Sequence, residues 1–127
     1  MNTMDRKILI IDEHDFSRVC AAILKSNGYL TEIVTHAADL PEKLNEPSCH
    51  LVVMSYPFGI NFFEYLGSKN IPIIVLSDEI NEGLISLLNN FQNSCCMIKP
   101  VDYDKFKRKV KQGISGARLS QGGAIIA

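Results

Sequence analysis

Four consecutive apolar residues, Leu51, Val52, Val53 and Met54, followed by Ser55, Tyr56 and Pro57, constrain this chain more than any other stretch. Side chains of a strand alternate between its two faces, so an unbroken apolar run needs cover on both, as the middle strands of parallel sheets have. Pro57 has no backbone N–H and stops further pairing. The run therefore predicts a central strand that delivers one polar side chain, Ser55, to its carboxyl end. Ligands and chemistry in open parallel sheets collect beyond the carboxyl ends of the strands, so the identity of that residue matters. It is a hydroxyl where a carboxylate would carry more charge and more chemistry.

The rest of the chain alternates strand and helix around that run, which predicts an α/β domain with a parallel sheet. Residues 7–11 read as the first strand, ending at Asp12 and Glu13. A helix is expected over 16–27, with Phe16, Val19, Cys20, Ile23 and Leu24 on one face, Asp15 as its cap and Asn27-Gly28 as its stop. Residues 29–34 form a second strand and 39–45 a short helix with Pro41 in its first turn. After the central strand come a helix over 61–68, a strand over 71–76 ending near Ser77 and Asp78, and a helix over 80–91 with Ile80, Leu84, Leu87, Leu88 and Phe91 on one side. A short strand over 95–98 runs into Lys99-Pro100, and the last helix covers 103–114, where Phe106, Val110 and Ile114 repeat every four residues. Lys105, Lys107, Arg108, Lys109 and Lys111 fill the other faces of that helix; without interleaved aromatic residues they read as a solvated outer surface in preference to a docking face for a partner or nucleic acid. Residues 1–115 make one domain, and 116–127, rich in Gly, Ser and Ala, read as a flexible C-terminal tail or linker.

Composition narrows the function classes. With 46% hydrophobic and 21% charged residues the chain is globular, and a net charge of -1 offers no general attraction to nucleic acid or acidic membranes. Apolar runs are too short to span a bilayer and Asp12 interrupts the first of them, which predicts a cytoplasmic protein with no membrane partner. Cys20, Cys49, Cys95 and Cys96 have neither CxxC nor zinc-ligand spacing and read as buried thiols of a reducing compartment; Cys95 and Cys96, adjacent on a strand, point to opposite faces. His14, His36 and His50 share no metal-ligand spacing either.

Strand ends thus offer Asp12 and Glu13, Ser55, Ser77, and Lys99 before Pro100. With KILIIDE, PIIVLS and IKPVD in that order, and Ser77 and Lys99 separated by 22 positions, residues 6–113 resemble the receiver domain of two-component response regulators. The resemblance implies a three-layer, doubly wound, flavodoxin-like fold with five parallel strands in the order 2-1-3-4-5. In such domains the acidic pair, here Asp12 and Glu13, helps bind magnesium. An aspartate ending the third strand takes a phosphoryl group from a histidine kinase, a hydroxyl at the position of Ser77 bonds the phosphate, and a lysine at that of Lys99 offsets its charge.

Ser55 occupies the place of the acceptor aspartate. A serine would form a stable ester in place of a labile acyl phosphate, and one missing charge about 4 Å from a cation is worth roughly 4 kcal/mol at an effective dielectric of 20. Asp12 and Glu13 are therefore expected to hold magnesium weakly or not at all, with no other cofactor. Cys96 stands where an aromatic switch residue is usual, Asp78 where a small residue admits phosphate, and the loop 56–59 is short. For Asp12 and Lys99 the plainer reading is a structural ion pair, and for Ser55 and Ser77 the satisfaction of nearby backbone groups. The expected function is that of a pseudo-receiver: a non-enzymatic signalling module of the two-component or phosphorelay type that works by contact with signalling proteins, a histidine kinase or a downstream effector. A homodimer is compatible with this, and no specific nucleic acid is expected. Two alternatives remain open: a phosphorelay receiver whose acceptor is Asp78 or Ser55, and a nucleotide- or flavin-binding module. Against the second, no glycine-rich loop follows the first strand, and Asp12, Glu13 and Asp15 would repel a phosphate there.

Overall fold

The computed structural model of the protein describes residues 6–66, 70–91 and 93–119. Its strands are β1 (Lys7–Ile11), β2 (Leu30–Ile33), β3 (Cys49–Tyr56), β4 (Ile73–Ser77) and β5 (Ser94–Ile98). They form one parallel sheet in the order β2-β1-β3-β4-β5, as expected, with β3 in the middle. The helices are α1 (His14–Ser26), α2 (Leu40–Leu44), α3 (Phe63–Leu66), α4 (Glu82–Leu88) and α5 (Tyr103–Ile114); short 3-10 turns lead into α2 and α3.

Alternation along the strands divides the core in two. Ile8, Ile10, Leu51, Val53, Ile74 and Leu76 pack with α1 and α5. Leu9, Ile11, Val52, Met54, Ile73 and Val75 pack with α2, α3 and α4. All four residues of the Leu51–Met54 run are fully buried, each burial being worth about 1.5–3 kcal/mol. Cys95 joins the first cluster and Cys96 the second, so the adjacent thiols are separated by the sheet.

Several boundaries move for identifiable reasons. Helix α1 starts at His14, and Asp15 is not its cap: Glu13, in an extended conformation, precedes the helix, while Asp15 sits in the first turn, where its charge suits the helix dipole. Val19 is 46% exposed, so it is not part of the buried stripe. Strand β4 begins at Ile73 and not at residue 71, because Pro72 lends its carbonyl to the Val52 N–H but has no N–H of its own for the ladder. Helix α4 begins two residues after Ile80, which is exposed and outside the helix, since Asn81 is extended and its side-chain oxygen accepts the Leu84 N–H. At the other end the buried Ser94 hydroxyl donates to the carbonyls of Leu88 and Phe91, which draws Ser94 into β5. Of the expected helix over 61–68, Phe63–Leu66 is α3 and residues 67–68 lie outside the described set. Of the expected tail, 116–119 are described and Leu119 is buried against α5, its N–H donating to Asn93; residues 120–127 lie outside the described set. No helix among the described residues is long and apolar enough to cross a membrane.

An ion network that the sequence did not announce ties the amino end of β1 to β2 and α2. Lys7 Nζ lies 2.6 Å from Glu46 and 2.9 Å from Glu32, and Lys43 Nζ lies 2.8 Å from the other Glu32 oxygen. Hydrogen bonds from Lys43 and then Lys7 hold the Glu32 carboxyl below its usual 4.5, and those to Glu46 and then Glu32 hold the Lys7 ammonium above its usual 10.5. The Glu32 contribution to stability is therefore present above pH 4.5 and lost as pH falls through the lowered folded value. That of Lys7 is present below 10.5 and lost as pH rises through the raised one. Glu32→Gln is expected to cost about 1 kcal/mol in urea denaturation at neutral pH, and the gap to wild type should close on acidification. A gap that stays constant down to strong acid would refute this account.

Candidate functional site at the strand ends

The register of β1 against β3 pairs Ile11 with Met54, so Asp12 and Ser55 continue side by side at the carboxyl ends of the two central strands. Asp12 is 6% exposed although ionisable, and its environment shows why this is tolerated. Its Oδ1 accepts the Glu13 N–H at 2.7 Å and the Lys99 ammonium at 3.2 Å. Lys99 also lies 4.4 Å above the ring of Phe16, which cradles the cation from the α1 side. Phe16 read as an ordinary helix-face residue in the sequence; the pairing needed the tertiary structure to appear. The hydroxyl of Ser17, fully buried, donates to the Asp12 carbonyl and fixes the backbone there.

Two buried oxygens at these strand ends have no hydrogen-bond partner among the described residues: Asp12 Oδ2 and Ser55 Oγ. Ser55 is 2% exposed and its hydroxyl bonds no backbone group among the described residues, contrary to the plainer expectation for it. Its carbonyl is engaged, because the Gly59 N–H returns to it at 2.8 Å and closes the short loop after β3. Only glycine allows that return: a Cβ on Gly59 would stand 2.8 Å from the Ser55 carbonyl oxygen. Sequence reading noted that the loop is short but passed over the glycine that permits it.

Ser77 behaves differently from Ser55. It pairs with Tyr56, one rung beyond Ser55, and its hydroxyl donates to the Glu79 carbonyl at 2.6 Å while accepting the Glu79 N–H at 3.3 Å. The hydroxyl is thus spent in a local turn, and it makes no bond to Asp12, Ser55 or Lys99. Asp78 and Glu13 are exposed, and the side chains of both make no hydrogen bond or ion pair among the described residues. Of the residues singled out in the sequence, the structure gathers Asp12, Ser55 and Lys99, keeps Ser77 at the edge, and leaves Asp78 and Glu13 facing solvent.

Cys96 is fully buried in the cluster on the α2, α3 and α4 side, opposite the face on which Lys99 meets Phe16. Burial pushes its thiol up to about 11, as it does for Cys49 and Cys95, and pushes Cys20 to about 12 with help from Asp12. Among the described residues no three or more His, Cys, Asp or Glu side chains converge as a metal cluster.

Compared by sequence, the chain matches no family model and no curated protein. Compared by structure, it is similar to a response regulator receiver domain protein (CheY-like) from Methanospirillum hungatei, with a TM-score of 0.75, 18% identity and coverage of 87% of this chain and 94% of that one. A two-component response regulator from Clostridium difficile gives 0.73 at 19% identity, covering 87% and 96%. The signal receiver domain of a DNA-binding response regulator from Colwellia psychrerythraea gives 0.71 at 17% identity, covering 87% and 98%. At such identities the likeness is one of fold: this chain has the fold of receiver domains, with Ser55, Asp12 and Lys99 at the ends of its strands.

Removing the orphan hydroxyl should do no harm. Ser55→Ala is expected to leave stability unchanged or raise it by about 1 kcal/mol, whereas Lys99→Ala, which strands a buried carboxylate, should cost about 3 kcal/mol in chemical denaturation. A large loss in Ser55→Ala would mean that the hydroxyl is bonded in solution. A second expectation concerns the thiols: Cys20, Cys95 and Cys96, buried and with pKa values pushed up, should resist a disulfide reagent in the native state at about pH 8 and react on unfolding. Cys49 is only half-buried, not the buried thiol expected from the sequence, and should react first. Rapid native labelling of Cys20, Cys95 or Cys96 would contradict the burial described for it.

Proposed function

We propose that this chain is a signalling module of the two-component or phosphorelay type that works by protein contact in the cytoplasm, has no enzymatic activity, and is not switched by aspartyl phosphorylation. The observation that carries this reading is the buried Ser55 at the end of the central strand, where the receiver fold would place an acceptor carboxylate, with Lys99 drawn to Asp12 instead. A hydroxyl there supplies neither the labile acyl phosphate nor the negative charge that phosphoryl transfer between carboxylate and histidine needs.

The oxygens present are a poor match for magnesium, which demands near-octahedral oxygen ligands and is usually held by more than one anion. Asp12 has one oxygen occupied by Lys99 and the Glu13 N–H, leaving only Oδ2 without a partner, while the neighbouring strand end offers a neutral Ser55 hydroxyl and Glu13 is exposed. Weak magnesium binding at most is the consequence, and no other cofactor is invoked. The partners in this reading are signalling proteins, a histidine kinase or a downstream effector, with a second copy of the chain as a further candidate. An unorthodox acceptor gains no support: Ser55 is almost wholly buried, and Asp78 is exposed with no bond to Lys99.

The test is an amide NMR titration with magnesium and then beryllium fluoride, a mimic of a phosphoryl group on a carboxylate. Wild type is expected to show no saturable shifts around Asp12, Ser55, Ser77 and Lys99 under conditions that saturate an intact receiver domain. Ser55→Asp should gain both responses, with magnesium bound at least about 100-fold more tightly, since one added charge beside a cation is worth several kcal/mol. Saturable binding of both probes by wild type would overturn the proposal, and loss of that response in Asp78→Asn would identify the acceptor.

A further inference from the structure

Helix α5 concentrates charge that the rest of the chain does not balance. It carries five cations (Lys105, Lys107, Arg108, Lys109, Lys111) and one carboxylate (Asp104), a net +4 in a chain whose total is -1, so the remainder carries -5. Several of these cations repel one another along the helix: Lys107 and Lys111 are four residues apart, as are Lys105 and Lys109, and Arg108 and Lys111 are three apart. Like charges at those spacings cost a few tenths of a kcal/mol per pair. Among the described residues one α5 cation finds a carboxylate, Lys107 at 3.4 Å from Asp104, and that pair is exposed. Arg108 and Lys111 are exposed and have no hydrogen-bond or ion-pair partner among the described residues.

The sequence presented this face as a solvated outer surface. In the fold it is partly concave. The end of α1 and the start of β2 stand beside α5 and leave a cleft of about 300 Å³. Lys107, Arg108 and Lys111 form its basic wall, with Asp104 the one carboxylate on it, and Asn27 and Tyr29 lie across from them. Three cations against one carboxylate leave a net +2, which outweighs the roughly half negative charge of the α1 carboxyl terminus. The volume is at the small end of ligand pockets, and concave walls of one sign focus the potential inside. The side-chain amide N–H group of Asn27 is committed to the Ile23 carbonyl, so the open donors are those of Arg108, Lys111 and the Tyr29 phenol.

We propose that this cleft binds a small, multiply charged phosphate-bearing ligand, of the polyphosphate or nucleoside polyphosphate class. Arg108 would grip phosphate oxygens through its planar fork, and Lys107 and Lys111 would supply charge. The site is apart from Asp12, Ser55 and Lys99, and the proposal stands or falls without the receiver-like reading of those residues.

The test uses the full chain with inorganic tripolyphosphate and, separately, ATP without added metal, followed by amide NMR and titration calorimetry at low and moderate salt. Saturable shifts at Tyr29, Arg108 and Lys111 are expected, with binding that weakens as salt rises. Arg108→Glu should weaken it at least about tenfold, while Lys105→Glu, the same charge change on the same helix but outside the cleft, should weaken it by less than about threefold. Should Arg108→Glu fail to fold, Arg108→Gln serves in its place. Equal losses in the two variants would mean diffuse attraction to a basic helix and would overturn the site. Shifts centred on Lys99, no saturable binding, or binding of a single-stranded oligonucleotide but not of tripolyphosphate would overturn it as well. ATP binding without tripolyphosphate binding would remove phosphate as the recognised group and overturn the proposal in that form.

Discussion

Everything in this molecule follows from burying β3 on both faces. A strand with Leu51, Val52, Val53 and Met54 in succession has no solvent side, so two helical layers must be built, one from α1 and α5 and one from α2, α3 and α4. Parallel neighbours are joined by long crossovers, which bring all the strand carboxyl ends to one rim. There the ladder runs out of partners and polar residues are admitted at the edge of a dry core. Asp12, Ser55, Ser77 and Lys99 are at that rim because of the sheet, and their individual chemistry is decided by what each finds next to it.

What they find differs sharply. Asp12 keeps its charge in a nearly inaccessible place because Lys99, the Glu13 N–H and, behind Lys99, the Phe16 ring compensate it. Ser77 is consumed by the turn at Glu79. Ser55 is left with a hydroxyl unpartnered among the described residues, while its carbonyl is engaged by the returning Gly59 N–H. The rim therefore resembles a site in layout while its donors are turned to one another, which is the physical content of the proposed loss of phosphoryl chemistry. The second polar feature, the cleft beside α5, has the opposite character: its cations are exposed and in excess, and nothing in the described chain neutralises Arg108 or Lys111.

Strand existence and the opposite facing of Cys95 and Cys96 were legible because they rest on period-two alternation and on the strand-helix rhythm, both local properties of the chain, whereas the strand order was legible only through the resemblance to receiver domains. Helix α5 was legible to the residue, since Phe106, Val110 and Ile114 repeat at helical spacing. Boundaries were less so. Asn81 looked like one more residue of a helix beginning at Ile80, and its cap is a choice between two hydrogen bonds that propensity does not settle. Gly59 was passed over because a close approach of two backbone segments leaves no mark on the pattern of apolar residues. The Lys7, Glu32, Lys43 and Glu46 network was invisible for a similar reason: its members lie up to 39 positions apart and meet only when β1, β2 and α2 have packed.

The sequence by itself determined the class of fold and the residue types at each strand end, a hydroxyl and not a carboxylate at position 55 among them, because burial periodicity and chemical identity are written residue by residue. Only the tertiary structure decided who touches whom at the rim: that Lys99 goes to Asp12 and Phe16, that Ser77 folds back on Glu79, that Ser55 stays alone, and that α5 faces a cleft. Those outcomes depend on contacts spanning as many as 87 positions, and such contacts are set by the register of a packed sheet, which no local pattern encodes.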